Sequence, residues 1–197
     1  MRDQRQYELF DPAGLGRRPR RGHTLFFGLR PPPAQVRSIR RYALHHARKH
    51  NGNRALAPQN LHVTLAGFGE AEIMPPEAIA IARSAGAAVK AEPFEVAFDR
   101  VQSFGSPANA AIVLRCAEGA LEIKALRMAI ADALERQGMQ VRRTDFTPHL
   151  TLWYSRERLG EEVLARPFRW TVDRLWLIHS FIGQSRHEWP GQWELHN

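Results

Sequence analysis

A chain of 197 residues, 44 % of them hydrophobic, has the size and composition of a single globular domain. No apolar run approaches the roughly 18 residues that a membrane-spanning helix needs, and the single cysteine, Cys116, excludes an intrachain disulfide; we therefore expect a cytoplasmic protein without a membrane contact. The net charge of +8 comes almost entirely from arginine, which favours a polyanionic partner such as RNA unless the arginine content only reflects genome composition.

Residues 1–22 are predicted to form a flexible basic tail ahead of a two-lobed domain at 23–197. The tail holds several Arg, Gly and Pro residues and too few apolar ones to pack independently. One stretch within it, Gln6–Phe10, resembles the short peptides with which bacterial DNA-metabolism proteins bind a sliding clamp. The alternative is that its apolar side chains anchor the tail on the domain.

The rest of the chain alternates between strand and helix patterns. Periodicity and turn residues predict, in order, strand 24–29, helix 34–50, strand 61–67, helix 76–90, strands 94–101 and 110–116, helix 121–137, strand 148–154, and late strands 168–172, 175–182 and 189–195. A loop is predicted at 103–107, where Phe104 either stacks a base or packs on the domain. The repeated order of strand, helix and strand indicates an α+β fold with two pseudo-symmetric lobes, whose antiparallel sheets and outer helices flank a central cleft.

A short pattern, His-apolar-Thr-apolar, occurs twice, starting at His62 and at His149. Successive side chains of a strand point to opposite faces, so each copy sets an imidazole and a hydroxyl about 6–7 Å apart along one face. In the first strand that face carries His62 and Thr64. In the second it is predicted to carry His149, Thr151 and Trp153. The apolar residues between them are expected to face the core.

These two segments resemble the signatures of the two-histidine (2H) phosphoesterases, in the RNA 2′,3′-cyclic phosphodiesterase or 2′-5′ RNA ligase branch. The likeness is carried by PQNLHVTLAGFGE and FTPHLTLWYS, and it is extended by HTLFFGLRPP at 23–32 and VDRLWLIHSFIG at 172–183. The resemblance implies an enzyme that hydrolyses RNA 2′,3′-cyclic phosphate ends to 2′-phosphates, with no metal or other cofactor. A monomer is expected.

Paired imidazoles and hydroxyls suit the opening of a cyclic phosphodiester by water. One imidazole takes a proton from water and the other protonates the leaving ribose oxygen, and an ordinary pKa of about 6.5 suits both tasks. Hydroxyl groups donate to the non-bridging oxygens as negative charge develops. The resemblance assigns His62 as the general acid, His149 as the general base, and Thr64 and Thr151 to phosphate binding.

One position departs from the resembling family, and other functions are open to the same residues. Many members carry an Arg shortly after the second motif, where this chain has Tyr154. The missing charge is expected from Arg142, Arg143, Arg156 or Arg158, or else the Tyr154 hydroxyl and ring replace it. The alternative functions are 2′-5′ RNA ligation, hydrolysis of a small cyclic nucleotide such as ADP-ribose cyclic phosphate, and a non-catalytic RNA-binding module.

Overall fold

The described part of the chain, in a computed structural model, comprises residues 22–49, 55–106, 109–139, 141 and 143–196. The helices there are α1 (Pro33–Lys49), α2 (Pro76–Ala87) and α3 (Ala120–Arg136), and a short 3₁₀ turn spans Pro58–Asn60. The strands are β1 (Gly22–Leu29), β2 (Val63–Ala71), β3 (Phe94–Phe104), β4 (Ala110–Glu118), β5 (His149–Ser155), β6 (Glu162–Val172), β7 (Arg174–Ile182) and β8 (Arg186–Glu194).

The predicted order of elements is confirmed, and two strands are longer than expected. β3 continues through the start of the predicted loop as far as Phe104, and β6 begins at Glu162. The two strands pair with each other over most of their length, so cross-strand hydrogen bonds extend both beyond their local sequence signals. The predicted tail lies outside the described residues except for Gly22, which begins β1, and the Gln6–Phe10 stretch lies outside them entirely.

The eight strands of the described residues belong to one sheet with the order β6-β3-β4-β5-β2-β1-β7-β8, and the pairings between them are antiparallel. The predicted antiparallel α+β fold with two related lobes is thus confirmed, and the lobes are the two halves of this sheet. In each half the innermost strand is β2 or β5, and a motif lies at its start, since His62 directly precedes β2 and His149 begins β5. This strand pairs with the strand before it, β1 or β4, to which helix α1 or α3 connects it.

The two halves meet at a seam between β2 and β5. Within the described residues a single register pair, Val63 with Leu150, joins them. Helices cover one face of the sheet and cross this seam: α1 packs against β5 and β6 of one half, and α3 packs against β2 of the other. On the opposite face, which we call the cleft face, no helix of the described residues packs at the seam.

Close approach of α2 to β8 holds the outer edge of the sheet in place. A Cβ atom at Gly86, in α2, would lie only 2.4 Å from the Trp193 indole of β8. The helix can therefore contact that ring only because residue 86 has no side chain.

The prediction that Cys116 is a buried small residue is also confirmed. Its thiol donates a hydrogen bond to the Glu118 carbonyl oxygen at 2.7 Å. Burial raises its pKa to about 12, so the thiol stays protonated. No helix among the described residues is long and apolar enough to cross a membrane.

Candidate active site

Four side chains of the two motifs meet at the seam on the cleft face. Because Val63 pairs with Leu150 in antiparallel register, the next residues along place His62 opposite Thr151 and Thr64 opposite His149. Directly opposed Cβ atoms lie about 4.5–5.5 Å apart and diagonal neighbours about 7–8 Å apart. Each histidine thus faces the threonine of the other motif, and the two imidazoles are diagonal neighbours.

The first motif alternates as predicted. Leu61, Val63 and Leu65 are all buried on the helix side, whereas His62 and Thr64 are only half-buried. The 3₁₀ turn that begins at Pro58 leads into the strand. Proline cannot donate a hydrogen bond to a strand ladder, so Pro58 keeps the ladder from starting earlier.

The second motif departs from simple alternation, and the predicted position of Trp153 on the cleft face is wrong. Thr151 pairs with Val113 and Trp153 with Ile112, so Leu152 is an extra residue in a β-bulge. The bulge turns Trp153 into the core, where it is fully buried. It also brings Tyr154 onto the face that carries Thr151.

The His62 ring lies among aromatic side chains from β1 and β8. Its centroid is 4.8 Å from that of Phe26 and 5.4 Å from that of His187. Burial, reinforced by the positive charges of His187, His149 and Arg30, lowers the pKa of His62 to about 3. The Asn60 backbone offsets part of this fall, although Nδ1 of His62 lacks a hydrogen bond of normal geometry.

His149 is oriented by a hydrogen bond to the backbone. Its Nδ1 lies 2.8 Å from the Thr147 carbonyl oxygen, and since a carbonyl only accepts, Nδ1 is the donor. The Phe104 ring packs edge-on against the imidazole at a centroid distance of 5.0 Å. Phe104 is therefore part of strand β3 and of the wall of the site, and not of a loop.

Of the four arginines that the sequence suggested as replacements for the missing charge, two are engaged elsewhere, one is exposed and one lies outside the described residues. Arg143 forms ion pairs with Asp132 and Glu135 of α3. Arg158 donates to the Gly105 carbonyl oxygen at 3.3 Å, Arg156 is exposed, and Arg142 is not among the described residues.

A different arginine, Arg30, reaches the site from β1. Leu29 pairs with Val63, so the next step of the register sets Arg30 opposite His62. Its guanidinium carbon lies 5.0 Å from the Trp176 ring centroid and 4.5 Å from that of Trp189. Sequence reasoning missed both Arg30 and His187. The alternation of side chains along a strand places Arg30 on the same face as Phe26. That this face forms a wall of the site follows only from the pairing of β1 with β2 and β7.

Within the described residues, no cluster of three or more His, Cys, Asp and Glu side chains is arranged to hold a metal ion. The groups that converge at the seam are imidazoles and hydroxyls, and the Arg30 guanidinium lies beside them. Together they can exchange protons and bind a phosphate anion.

Comparisons with known proteins point to one family. The sequence profile of the 2'-5' RNA ligase superfamily matches residues 30–180. E. coli LigT complexed with 3'-AMP is 23 % identical, with a TM-score of 0.69 over 89 % of this chain and 99 % of LigT. LigT complexed with NADP+ is 21 % identical, with a TM-score of 0.67 over the same shares. TT0787 of Thermus thermophilus is 19 % identical, with a TM-score of 0.70 over 87 % of this chain and 97 % of that one. No curated protein matches. The solved structures share the fold of this chain.

Proposed function

Since this chain belongs to the 2'-5' RNA ligase superfamily of 2H phosphoesterases, we propose that it is a metal-independent RNA 2′,3′-cyclic phosphodiesterase that leaves a 2′-phosphate. The observation that supports this proposal is the antiparallel pairing of Val63 with Leu150 at the seam. Continued by one residue in each direction, this register sets each motif histidine opposite the threonine of the other motif. A phosphate between these four side chains lies within reach of two imidazoles and two hydroxyls. E. coli LigT has been solved with 3'-AMP and with phosphate.

In the proposed reaction, water attacks phosphorus in line with the bond to the ribose 3′ oxygen. His149 takes the proton from water through Nε2, since Nδ1 is held by the Thr147 carbonyl. The P–O3′ bond breaks and His62 donates a proton to the departing oxygen, leaving the phosphate on O2′. Thr64 and Thr151 donate hydrogen bonds to the non-bridging oxygens while their charge increases.

His62 needs a proton to act as the acid, and the unliganded site does not favour one. Its pKa of about 3 means that the ring is neutral at neutral pH before substrate binds. A bound phosphodiester brings a negative charge next to the ring, and an adjacent opposite charge raises the pKa of an imidazole. We therefore propose that His62 takes up its proton when the substrate binds.

The test is hydrolysis of adenosine 2′,3′-cyclic phosphate in EDTA, with the product analysed as 2′- or 3′-phosphate. We expect 2′-phosphate, and turnover about 10²–10⁴-fold lower in His62→Ala and in His149→Ala. Thr64→Val and Thr151→Val should cost about 10–10³-fold, because each removes one donor to the developing charge. His45→Ala, on the exposed side of α1, is the matched control and should keep full turnover. Full activity in both motif histidine variants would refute the proposal.

The roles of the two histidines are separated by a substrate whose leaving group needs no proton. On a p-nitrophenyl phosphodiester, His62→Ala should recover much of its loss, because p-nitrophenolate leaves as an anion. His149→Ala should recover little. Rescue of His149→Ala instead would reverse the acid and the base.

A further inference from the structure

Arg30 is a half-buried cation that has no anionic partner among the described residues. No carboxylate in the described part of the chain forms an ion pair with it, and its Nε is buried without a hydrogen bond. The Trp176 and Trp189 rings stabilise its charge by cation–π contact, yet they cannot accept its N–H groups as an oxygen would. Arg115, on the other half of the cleft face, contrasts with it, because Arg115 bonds Glu161 at 2.9 Å and Gln102 at 3.2 Å.

The position of Arg30 fits an anion next to the reacting phosphate and distinct from it. In register Arg30 lies opposite His62 on the side away from Thr151, and neighbouring strands are about 4.8 Å apart. Its guanidinium stacks on rings from β7 and β8. In the sheet these two strands lie further from the seam than β1 does. The guanidinium thus leans out of the group of two histidines and two threonines.

We infer that Arg30, held by Trp176 and Trp189, binds a second phosphate of the substrate, on the 5′ side of the nucleoside that carries the cyclic phosphate. This inference rests on the proposed function, in which the leaving ribose oxygen faces His62. The ribose then lies on the Arg30 side of the site, and the phosphate at its 5′ carbon is the next anion along the molecule. An arginine fork matches phosphate oxygens bidentately.

A substrate with a 5′ phosphate is therefore preferred over a free nucleoside cyclic phosphate. Two kinds of molecule supply such a group: an RNA end, in which the 5′ phosphate is a diester, and a mononucleotide with a terminal 5′ phosphate. Trp189, 40 % exposed, leaves a ring surface beside the guanidinium for an adjoining base.

The experiment compares kcat/KM for adenosine 2′,3′-cyclic phosphate with a free 5′ hydroxyl, for the same compound with a 5′ phosphate, and for the dinucleotide ApA with a terminal cyclic phosphate. In the parent protein we expect the 5′ phosphate to raise kcat/KM by about 10- to 100-fold, the range for a hydrogen-bonded charged group. Arg30→Gln should bring this ratio close to one, and Arg30→Lys, which keeps the charge without the fork, should retain part of it. The charge-matched control is Arg169→Gln. It removes an exposed arginine of β6 that pairs with Glu118 of β4, and it should keep the full ratio.

The outcomes separate the two proposals. Hydrolysis of all three compounds with equal kcat/KM by the parent protein overturns the Arg30 subsite and leaves the phosphodiesterase intact. The subsite is equally overturned if Arg30→Gln, checked for folding by circular dichroism, lowers kcat/KM for all compounds by the same factor. Hydrolysis of none by the parent protein overturns the proposed function. A gain shared by the dinucleotide assigns the subsite to RNA ends, and a gain confined to the monophosphate assigns it to a terminal phosphate.

Discussion

The His62 imidazole is neutral in the unliganded protein because burial lowers its pKa to about 3. A phosphodiester bound beside it should raise that pKa toward or above neutrality, so binding near pH 7 should take up a proton. The His149→Ala variant with adenosine 2′,3′-cyclic phosphate is the clean system, since turnover is slow and the ligand has no group that titrates near pH 7. Calorimetry in buffers of different ionisation enthalpy should give an uptake approaching one proton.

The control for this measurement is a second substitution, His62→Gln, in the same background. It removes the titrating ring and should reduce proton uptake to near zero. Undiminished uptake in that double variant would place the proton on another group, such as His187, whose ring centroid is 5.4 Å from that of His62.

At the level of single residues, the sequence predicted what depends on local alternation and missed what depends on neighbouring strands. His62 and Thr64 share a face because two residues separate equivalent positions in a strand. Trp153 was placed on the wrong face because a bulge shifts the alternation, and it is the pairing with β4 that reveals the bulge. Arg30 and His187 belong to the site through the pairing of β1, β7 and β8, and no local pattern in the sequence records that pairing.

Among the elements, the contact between α2 and β8 gives a sharp test of packing. Replacing a helical glycine by alanine usually stabilises a helix by about 1 kcal/mol. At Gly86 the added methyl group meets the Trp193 ring at 2.4 Å, so we expect Gly86→Ala to lower the free energy of unfolding by about 1–3 kcal/mol. Urea unfolding measures this change.

The chain offers a matched control for this substitution. A Cβ atom at Gly160 would meet nothing within 4 Å, so Gly160→Ala should change stability by no more than about 0.5 kcal/mol. In a Trp193→Leu background the cost of Gly86→Ala should shrink, because the two positions are in contact. An equal cost in both backgrounds would locate the strain elsewhere.

The order and type of the helices and strands were well predicted, because hydrophobic periodicity is a local property of the sequence. The three helices lie within a few residues of their predicted limits. The ends of β3 and β6 were not predicted, since these strands extend each other through hydrogen bonds that the sequence does not express locally.

For the molecule as a whole, histidines whose charged form is disfavoured by burial make stability depend on pH. Burial lowers the pKa of His62, His179 and His187, whereas an unfolded histidine titrates at about 6.5. Below that pH the unfolded chain binds more protons than the folded one, so the free energy of unfolding falls as the pH falls, and the stabilisation is complete above about pH 6.5. For His62 the loss is at most about 1.4 kcal/mol for each pH unit between about 6.5 and 3.

Urea unfolding at pH 7.5, 6.5 and 5.5 tests this expectation above the range in which carboxylates titrate. His62→Gln should flatten the dependence, while His45→Gln, at an exposed position of α1, should leave it as in the parent protein. A stability that is constant or rises toward pH 5.5 would contradict the lowered pKa of these three histidines.

The seam between Val63 and Leu150 joins strands from distant stretches of the chain. A cut in the connection between α2 and β3 would leave one motif histidine and one motif threonine in each fragment. Neither fragment alone would hold both the proposed acid and the proposed base. The two fragments share contacts through which they can reassociate, because β1 pairs with β7 and α1 packs on β5 and β6. Turnover of a cyclic phosphate would then appear only when the fragments reassociate. The split chain would act as a complementation reporter, in which the rate of hydrolysis measures the reassembled fraction.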